Sequence, residues 1–217
     1  MTIFFITFII LLLIGVPISI SIGASAVLGC LVLDYPLMVI GQKMVTGVDS
    51  YLLIAIPLFI LAGNLMNAGK ITDKIFSFAK ELVGWIPGGL GHANIVASII
   101  FAGMSGSAAA DAGGLGTIEM EAMTKNGYRD NFSGAVTAAS SVIGPIFPPS
   151  IPLIIYGATA SVSVAKLFMG GVLPGLLMGV ALMVLVFIFA VKYRFERHPF
   201  DIIALSKQFF GSILSLI

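Results

Sequence analysis

Several things are scarce in this chain. It has 217 residues with one cysteine, two histidines and one tryptophan, and only 10% of its residues are charged. A lone Cys30 in an apolar run excludes an intrachain disulfide and leaves the redox compartment unread. His92 and His198 stand apart from each other and from any cysteine, as interfacial or loop residues, so no metal-ligand cluster is spelled out. No glycine-rich stretch ends in Lys-Ser or Lys-Thr, so the chain carries no phosphate-binding loop and no ATPase of its own. A net charge of +1 gives no footprint for nucleic acid. The N-terminus lacks a basic region, and its apolar run is too long for a signal peptide. No nucleophile–base pair is legible, which speaks against an enzyme.

Apolar residues are abundant instead: 59% of the chain, with a mean hydropathy of +1.11. That excludes a soluble domain and indicates an all-α polytopic membrane protein, a single membrane domain over 1–217. The 25 glycines suit helices that pack closely.

Residues 3–33 are apolar almost throughout. They would make one helix of about 45 Å, more than a bilayer core requires yet too short for two ordinary spans. One tilted or kinked helix is expected, then a polar connection over 34–50. A second hydrophobic helix, 51–68, contains Pro57 and ends at Asn64 and Asn67. Together 3–68 form the N-terminal helices. Asn64 reads as a ligand or, the better reading, as an interhelical hydrogen-bond donor or a residue at the membrane interface. Segment 69–92 carries Lys70, Lys74 and Lys80, and its apolar residues fall on one helical face. It is expected to lie on the cytoplasmic membrane surface, with Trp85 at interfacial depth.

Residues 93–104 are apolar but too short to cross a membrane. They run into Gly103-Met104-Ser105-Gly106-Ser107, where glycine permits a tight reversal. Ser107 is a natural N-cap for a helix starting at Ala108. A re-entrant hairpin over 93–131 follows, its tip inside the membrane. Glu119, Glu121, Lys125, Arg129 and Asp130 form a solvated cytoplasmic rim.

The apolar run 132–162 contains Gly144-Pro-Ile-Phe-Pro-Pro-Ser-Ile-Pro152. Each proline lacks an N–H and clashes with the carbonyl four residues back. The carbonyls of Ser141, Gly144, Pro145 and Pro148 thus lose helical partners. Such backbone persists at depth only where it is buried in protein or lines a polar cavity. The reading is a helix broken near its middle; the alternative is a kink satisfied by neighbours. After a short turn at Val164–Lys166, residues 167–191 form a transmembrane helix, and 192–217 an interfacial segment. With both basic loops, 69–92 and 192–207, in the cytoplasm, the topology closes only if 93–131 enters and leaves on one side.

Exposed carbonyls and serine hydroxyls can replace the water shell of sodium without placing a full charge at depth, and half-helix N-termini can face a carboxylate. The hydroxyls within reach are Ser105, Ser107, Ser140, Ser141 and Ser150. For any one of them alone, packing or capping is the better reading; the hairpin tip and the proline break together favour ion or substrate binding. Asp111 is either a functional intramembrane carboxylate, for ion, proton or substrate, or a stabiliser of the first turn of its helix.

The motifs at 103–107 and 144–152, with Asn126-Gly-Tyr-Arg-Asp-Asn-Phe-Ser133 between them, closely resemble the large membrane subunit of tripartite ATP-independent periplasmic (TRAP) transporters. Pro57-Leu-Phe-Ile-Leu-Ala-Gly-Asn64 before them and Gly170-Gly-Val-Leu-Pro-Gly175 after them extend the resemblance along nearly the whole chain. It implies sodium-driven import of organic acids such as dicarboxylates or sialic acids across the bacterial inner membrane. The implied partners are a small four-helix membrane subunit and a periplasmic substrate-binding protein. It also implies an elevator built of two inverted repeats, of which this chain holds the first, as an N-terminal half. The implied sodium ligands are Ser105 and Ser107 with the backbone of Gly144, Phe147 and Pro149; Asp111, Ser141 and Ser150 are further substrate or ion candidates. The competing readings are an anion/sodium symporter that needs no binding protein and a non-transporting membrane scaffold fragment.

Overall fold

The computed structural model describes residues 2–193 together with 195, 205, 206, 208 and 209. The described residues are helical, with no strand among them. The chain forms two compact units, Met1–Tyr51 and Leu52–Ile217.

The first unit corrects the reading of 3–33 as one helix. It contains two helices, α1 (Thr2–Leu13) and α2 (Ile18–Val32). Gly15 takes φ +88°, which costs glycine nothing, and Pro17 caps α2 without an N–H to satisfy. The two helices fold back on each other: Ile3 and Phe4, at the start of α1, face Gly29, Cys30 and Leu33, at the end of α2, across an apolar cleft. Ser21 and Ser25 are buried and return their hydroxyl protons to the carbonyls of Val16 (3.3 Å) and Ser21 (2.6 Å). The expected connection at 34–50 contains a third helix, α3 (Met38–Val48), with no buried residue.

In the second unit, α4 (Tyr51–Ala68) keeps Pro57 inside the helix and buries only Gly63. Asn67 at its end accepts a hydrogen bond from Thr72 Oγ1 (3.2 Å). The expected amphipathic helix forms as α5 (Ile71–Val83), and part of its apolar face is covered by protein. Ile75, Phe76 and Ala79 are buried against α6 (Gly89–Ser105). Leu82, on the same helix, stays exposed.

Everything in this unit is arranged around α6, twelve of whose 17 residues are buried. His92 is among them rather than in a loop or at an interface: it stands in the first turn of α6, its Nε2 3.1 Å from the Pro87 carbonyl. Glycine permits the crowding here. A Cβ on Gly89 would lie 2.0 Å from the Gly84 carbonyl oxygen, and one on Gly91 would lie 2.8 Å from Val186. The chain then reverses at Gly106 and runs through α7 (Ala108–Gly113) and α8 (Leu115–Lys125), which packs back along α6.

α8 overturns one expectation. Its core stripe is Leu115, Glu119 and Met123, spaced four apart. Glu119 is 0% exposed, so it is no part of a solvated rim. Glu121 is exposed and takes a 2.6 Å ion pair from Lys125.

Helix α9 (Asp130–Ser141) follows, then an irregular stretch over 142–150, then α10 (Ile151–Ala160). The last long helix, α11 (Val164–Tyr193), takes in the expected turn at 164–166. Three glycines spaced four apart, Gly171, Gly175 and Gly179, are buried along it. Added Cβ atoms there would meet Ile146 O at 2.3 Å, the Phe147 ring at 3.0 Å and Ile99 at 2.6 Å. This small-residue face lets α11 lie directly on the break and on α6. Helices α4 and α11 are each long and apolar enough to cross a membrane. Most of the expected interfacial segment 192–217, with Arg194, Arg197 and His198, lies outside the described residues.

Candidate functional site

The tip of the α6–α7 reversal and the break between α9 and α10 touch through backbone. Helix α6 ends because Gly106 enters the left-handed region at φ +59°, its N–H still reaching the Ala102 carbonyl (3.2 Å). Ser107 is extended and caps α7, its Oγ accepting from the Ala110 N–H at 3.4 Å. The Gly106 carbonyl then accepts the N–H of Ile151 at 3.3 Å, across 45 residues of sequence. A Cβ on Gly106 would sit 2.5 Å from Pro149 O, and one on Gly144 would sit 3.4 Å from the Ser107 carbonyl carbon. No side chain separates the two segments at these points.

The break partly satisfies itself. Gly144 N–H donates to Ser141 O (3.2 Å) and Phe147 N–H to Ile143 O (2.8 Å). Ser150 Oγ donates to Pro145 O and accepts from the Leu153 N–H (3.2 Å), so it caps α10. Two of the four carbonyls expected to be bare, Ser141 and Pro145, thus have partners. Gly144 and Pro148 have no such donor among the described residues.

The site residues named from sequence divide accordingly. Ser107, Gly144 and Pro149 meet at the tip-and-break contact, and Ser150 caps the helix that leaves it. Phe147 lies in the break, but its ring packs on Gly175 of α11. Ser105 stands beside α4, with its Cβ 3.6 Å from where a Cβ on Gly63 would stand. Its hydroxyl is buried and makes no hydrogen bond. Asn64 lines a small polar cleft of about 240 Å³ with Asn67, Ala110, Gly113 and Gly114. Asp111 is 1% exposed, inside the α6–α9 bundle.

One polar cluster is legible in the sequence only in part: Ser140 and Ser141 stand out there, Asn94 and Thr137 do not. Asn94 of α6 is fully buried; its Nδ2 donates to Thr137 Oγ1 (2.8 Å) and its Oδ1 accepts from Ser140 Oγ (2.7 Å). Ser141 Oγ donates to Thr137 O at 2.7 Å. This network ties α9 to α6 at the level where α9 approaches its break. Its sequence signal is Asn94, an amide within a mostly apolar helix.

Comparison with known proteins extends the resemblance. The family model described as "Tripartite ATP-independent periplasmic transporter, DctM component" matches residues 5–214. The sialic acid TRAP transporter large permease protein SiaM of Vibrio cholerae is 51% identical over 158 residues, covering 73% of this chain and 37% of that protein. The C4-dicarboxylate TRAP transporter large permease protein DctM of the same organism is 39% identical over 192 residues, covering 88% of this chain and 42% of that one. The isethionate TRAP transporter permease protein DctMQ of Oleidesulfovibrio alaskensis is 41% identical over 181 residues, 81% of this chain and 28% of that protein. These relatives are named as permeases, not as enzymes, and the chain spans less than half the length of each. On a match over nearly its whole length, the chain belongs to the DctM component family of the tripartite ATP-independent periplasmic transporters.

Proposed function

We propose that this chain supplies the tip-and-break element of a TRAP large permease, and that the element binds a sodium ion whose gradient drives organic-acid import across the bacterial inner membrane. The observation that carries the reading is the direct backbone contact of Gly106 with Pro149 and Ile151. It brings the Ser107 cap, the carbonyls of the break and the start of α10 to one place. Such an arrangement offers neutral oxygen ligands, which suit a weakly held monovalent ion that must also leave. The hydroxyls of Ser105 and Ser107 and the backbone carbonyls of Gly144, Phe147 and Pro149 are its proposed ligands. The hairpin is re-entrant in this reading, and the element moves as part of an elevator.

The relatives' named substrates share one chemistry. Sialic acid, C4-dicarboxylates and 2,3-diketo-L-gulonate are carboxylates, and isethionate is a sulfonate. A small organic anion is therefore the proposed cargo. A small membrane subunit and a periplasmic binding protein are the proposed partners; the fused permease name DctMQ among the relatives supports the first.

The test is uptake of radiolabelled organic anion into proteoliposomes carrying the native polypeptide and the small subunit. External binding protein is supplied or withheld, in sodium or in choline. Uptake should require both sodium and the binding protein. Joint replacement of Ser105 and Ser107 by alanine should raise the sodium concentration for half-maximal uptake about tenfold, as expected on losing ion-coordinating oxygens. Equal uptake in choline would sink the sodium reading. Equal uptake without the binding protein would favour a self-sufficient symporter instead.

A further inference from the structure

The start of α9 and the end of α11 meet in a cluster of aromatic rings. Phe195, just past α11, stacks on Tyr128 with ring centroids 4.3 Å apart. It also lies 5.2 Å from Phe132 and 6.1 Å from Tyr193, and Phe132 lies 5.8 Å from Phe189. The rings leave an open cleft of about 220 Å³, lined by Arg129, Asn131, Phe132, Phe189, Tyr193 and Phe195. Arg129, Asn131 and Tyr193 are exposed, and the three phenylalanines are half-buried. The cleft thus has an apolar floor and a polar mouth.

Positive charge at this mouth is not spent on the protein. Among the described residues neither Arg129 nor Lys192 is in an ion pair, and the Lys192 ammonium stands 5.7 Å from the centre of the Tyr193 ring. Asp130, next to Arg129 in the chain, is exposed and pairs with neither of them. Lys125 is already held by Glu121. In sequence, 192–197 reads Lys-Tyr-Arg-Phe-Glu-Arg, three cations to one carboxylate. Tyrosine at the end of a spanning helix sits at headgroup depth, and α11 is long and apolar enough to span. The distribution of basic residues puts this end of α11 in the cytoplasm, where anionic headgroups attract basic segments. A guanidinium fork and an amide above an aromatic floor fit a phosphodiester with hydrocarbon beneath it. An acidic protein segment would pair with the cations but leave the aromatic floor unfilled.

We propose that this cleft holds an anionic glycerophospholipid, its phosphate on Arg129 and Asn131 and its glycerol and upper acyl chain against Phe132, Phe189 and Phe195. Such binding does not depend on the sodium site; it needs only that α11 span the membrane. The lipid joins the start of α9 to the end of α11. These are the helix that runs into the break and the helix whose Gly171 and Gly175 cover it.

The test is titration of the purified native polypeptide and its small subunit, in detergent, with dioleoylphosphatidylglycerol or dioleoylphosphatidylcholine. Bound lipid is counted by native mass spectrometry. Wild type should hold phosphatidylglycerol at a site that phosphatidylcholine does not fill. Arg129→Gln should weaken that binding about tenfold, as expected on losing a charge-assisted hydrogen bond. Arg129→Lys should restore part of the loss, since the charge stays and the fork is gone. Lys43→Gln, an exposed lysine of α3, should leave it unchanged. Equal binding of the two lipids, or R129Q binding phosphatidylglycerol as wild type does, overturns the proposal. A second measurement places the occupant. With p-benzoylphenylalanine in place of Tyr193, illumination of whole membranes should give a phospholipid adduct. An adduct to the small subunit or to another part of the permease would mean that protein covers the cleft, and would overturn the proposal.

Discussion

Gly106→Val should destabilise the native polypeptide by about 2 to 5 kcal/mol, the sum of a left-handed backbone and an overpacked contact. The two penalties are independent. At φ +59° any Cβ is strained, and valine is β-branched besides. The added Cβ would also lie 2.5 Å from Pro149 O and 3.2 Å from Ile151 N, both backbone atoms that no rotamer change can clear. Either the tip or the break must shift, and the bond from Ile151 N–H to Gly106 O goes with it. Gly103, three residues earlier, is the matched control: it lies in helix, and a Cβ there meets nothing within 4 Å. Thermal unfolding should show G103V close to wild type and G106V far below it. A G106V protein within about 0.5 kcal/mol of wild type, the range of an innocuous surface change, would mean that tip and break are not in contact.

The second large effect is expected at Asn94. Asn94→Ala removes two buried hydrogen bonds, at about 1 kcal/mol each, and leaves a cavity in a close-packed interior. A loss of about 2 to 4 kcal/mol follows. Ser140 keeps a second acceptor in Thr137 O (3.0 Å), so the orphaned group is chiefly Thr137 Oγ1. Removing that hydroxyl as well, by Thr137→Val, should give part of the loss back. The double mutant should then be more stable than the two single effects predict, by about 1 kcal/mol or more. Chemical unfolding of the four proteins in the cycle measures this. Strict additivity would mean that Asn94 and Thr137 do not act as a pair.

The sequence made some elements plain and hid others, for identifiable reasons. A single proline is tolerated inside a helix, as Pro57 is in α4, but Pro145, Pro148, Pro149 and Pro152 crowd into eight residues, so the interruption between α9 and α10 is legible from residue type and spacing. Gly106-Ser107 is similarly explicit, since glycine ends one helix and serine caps the next. Residues 3–33 misled because length was weighed above Gly15 and Pro17. A turn of four residues was enough to make a hairpin of two short helices. Glu119 misled because charge was weighed above spacing. It falls four residues after Leu115 and four before Met123, and so occupies a core stripe despite its carboxylate. The apolar face of α5 was legible, but not whether protein or lipid would cover it; the partner is on α6, and a helix cannot announce its neighbour. Of the site, the tip and the break were readable as local backbone chemistry. Their contact was not, because it depends on Gly106 and Gly144 lacking side chains where two distant segments cross.

The three glycines of α11 bear on the order in which the chain can be made. A polypeptide leaves the ribosome from its N-terminus, at roughly 5 to 20 residues each second. The break at 142–150 therefore emerges before the helix that covers it. Ile146 and Phe147 rest on Gly171 and Gly175, which are translated some two dozen residues later. Until then the interrupted helix has its hairpin partner but lacks its outer wall. Its packing against these two glycines can therefore form only once α11 has been made.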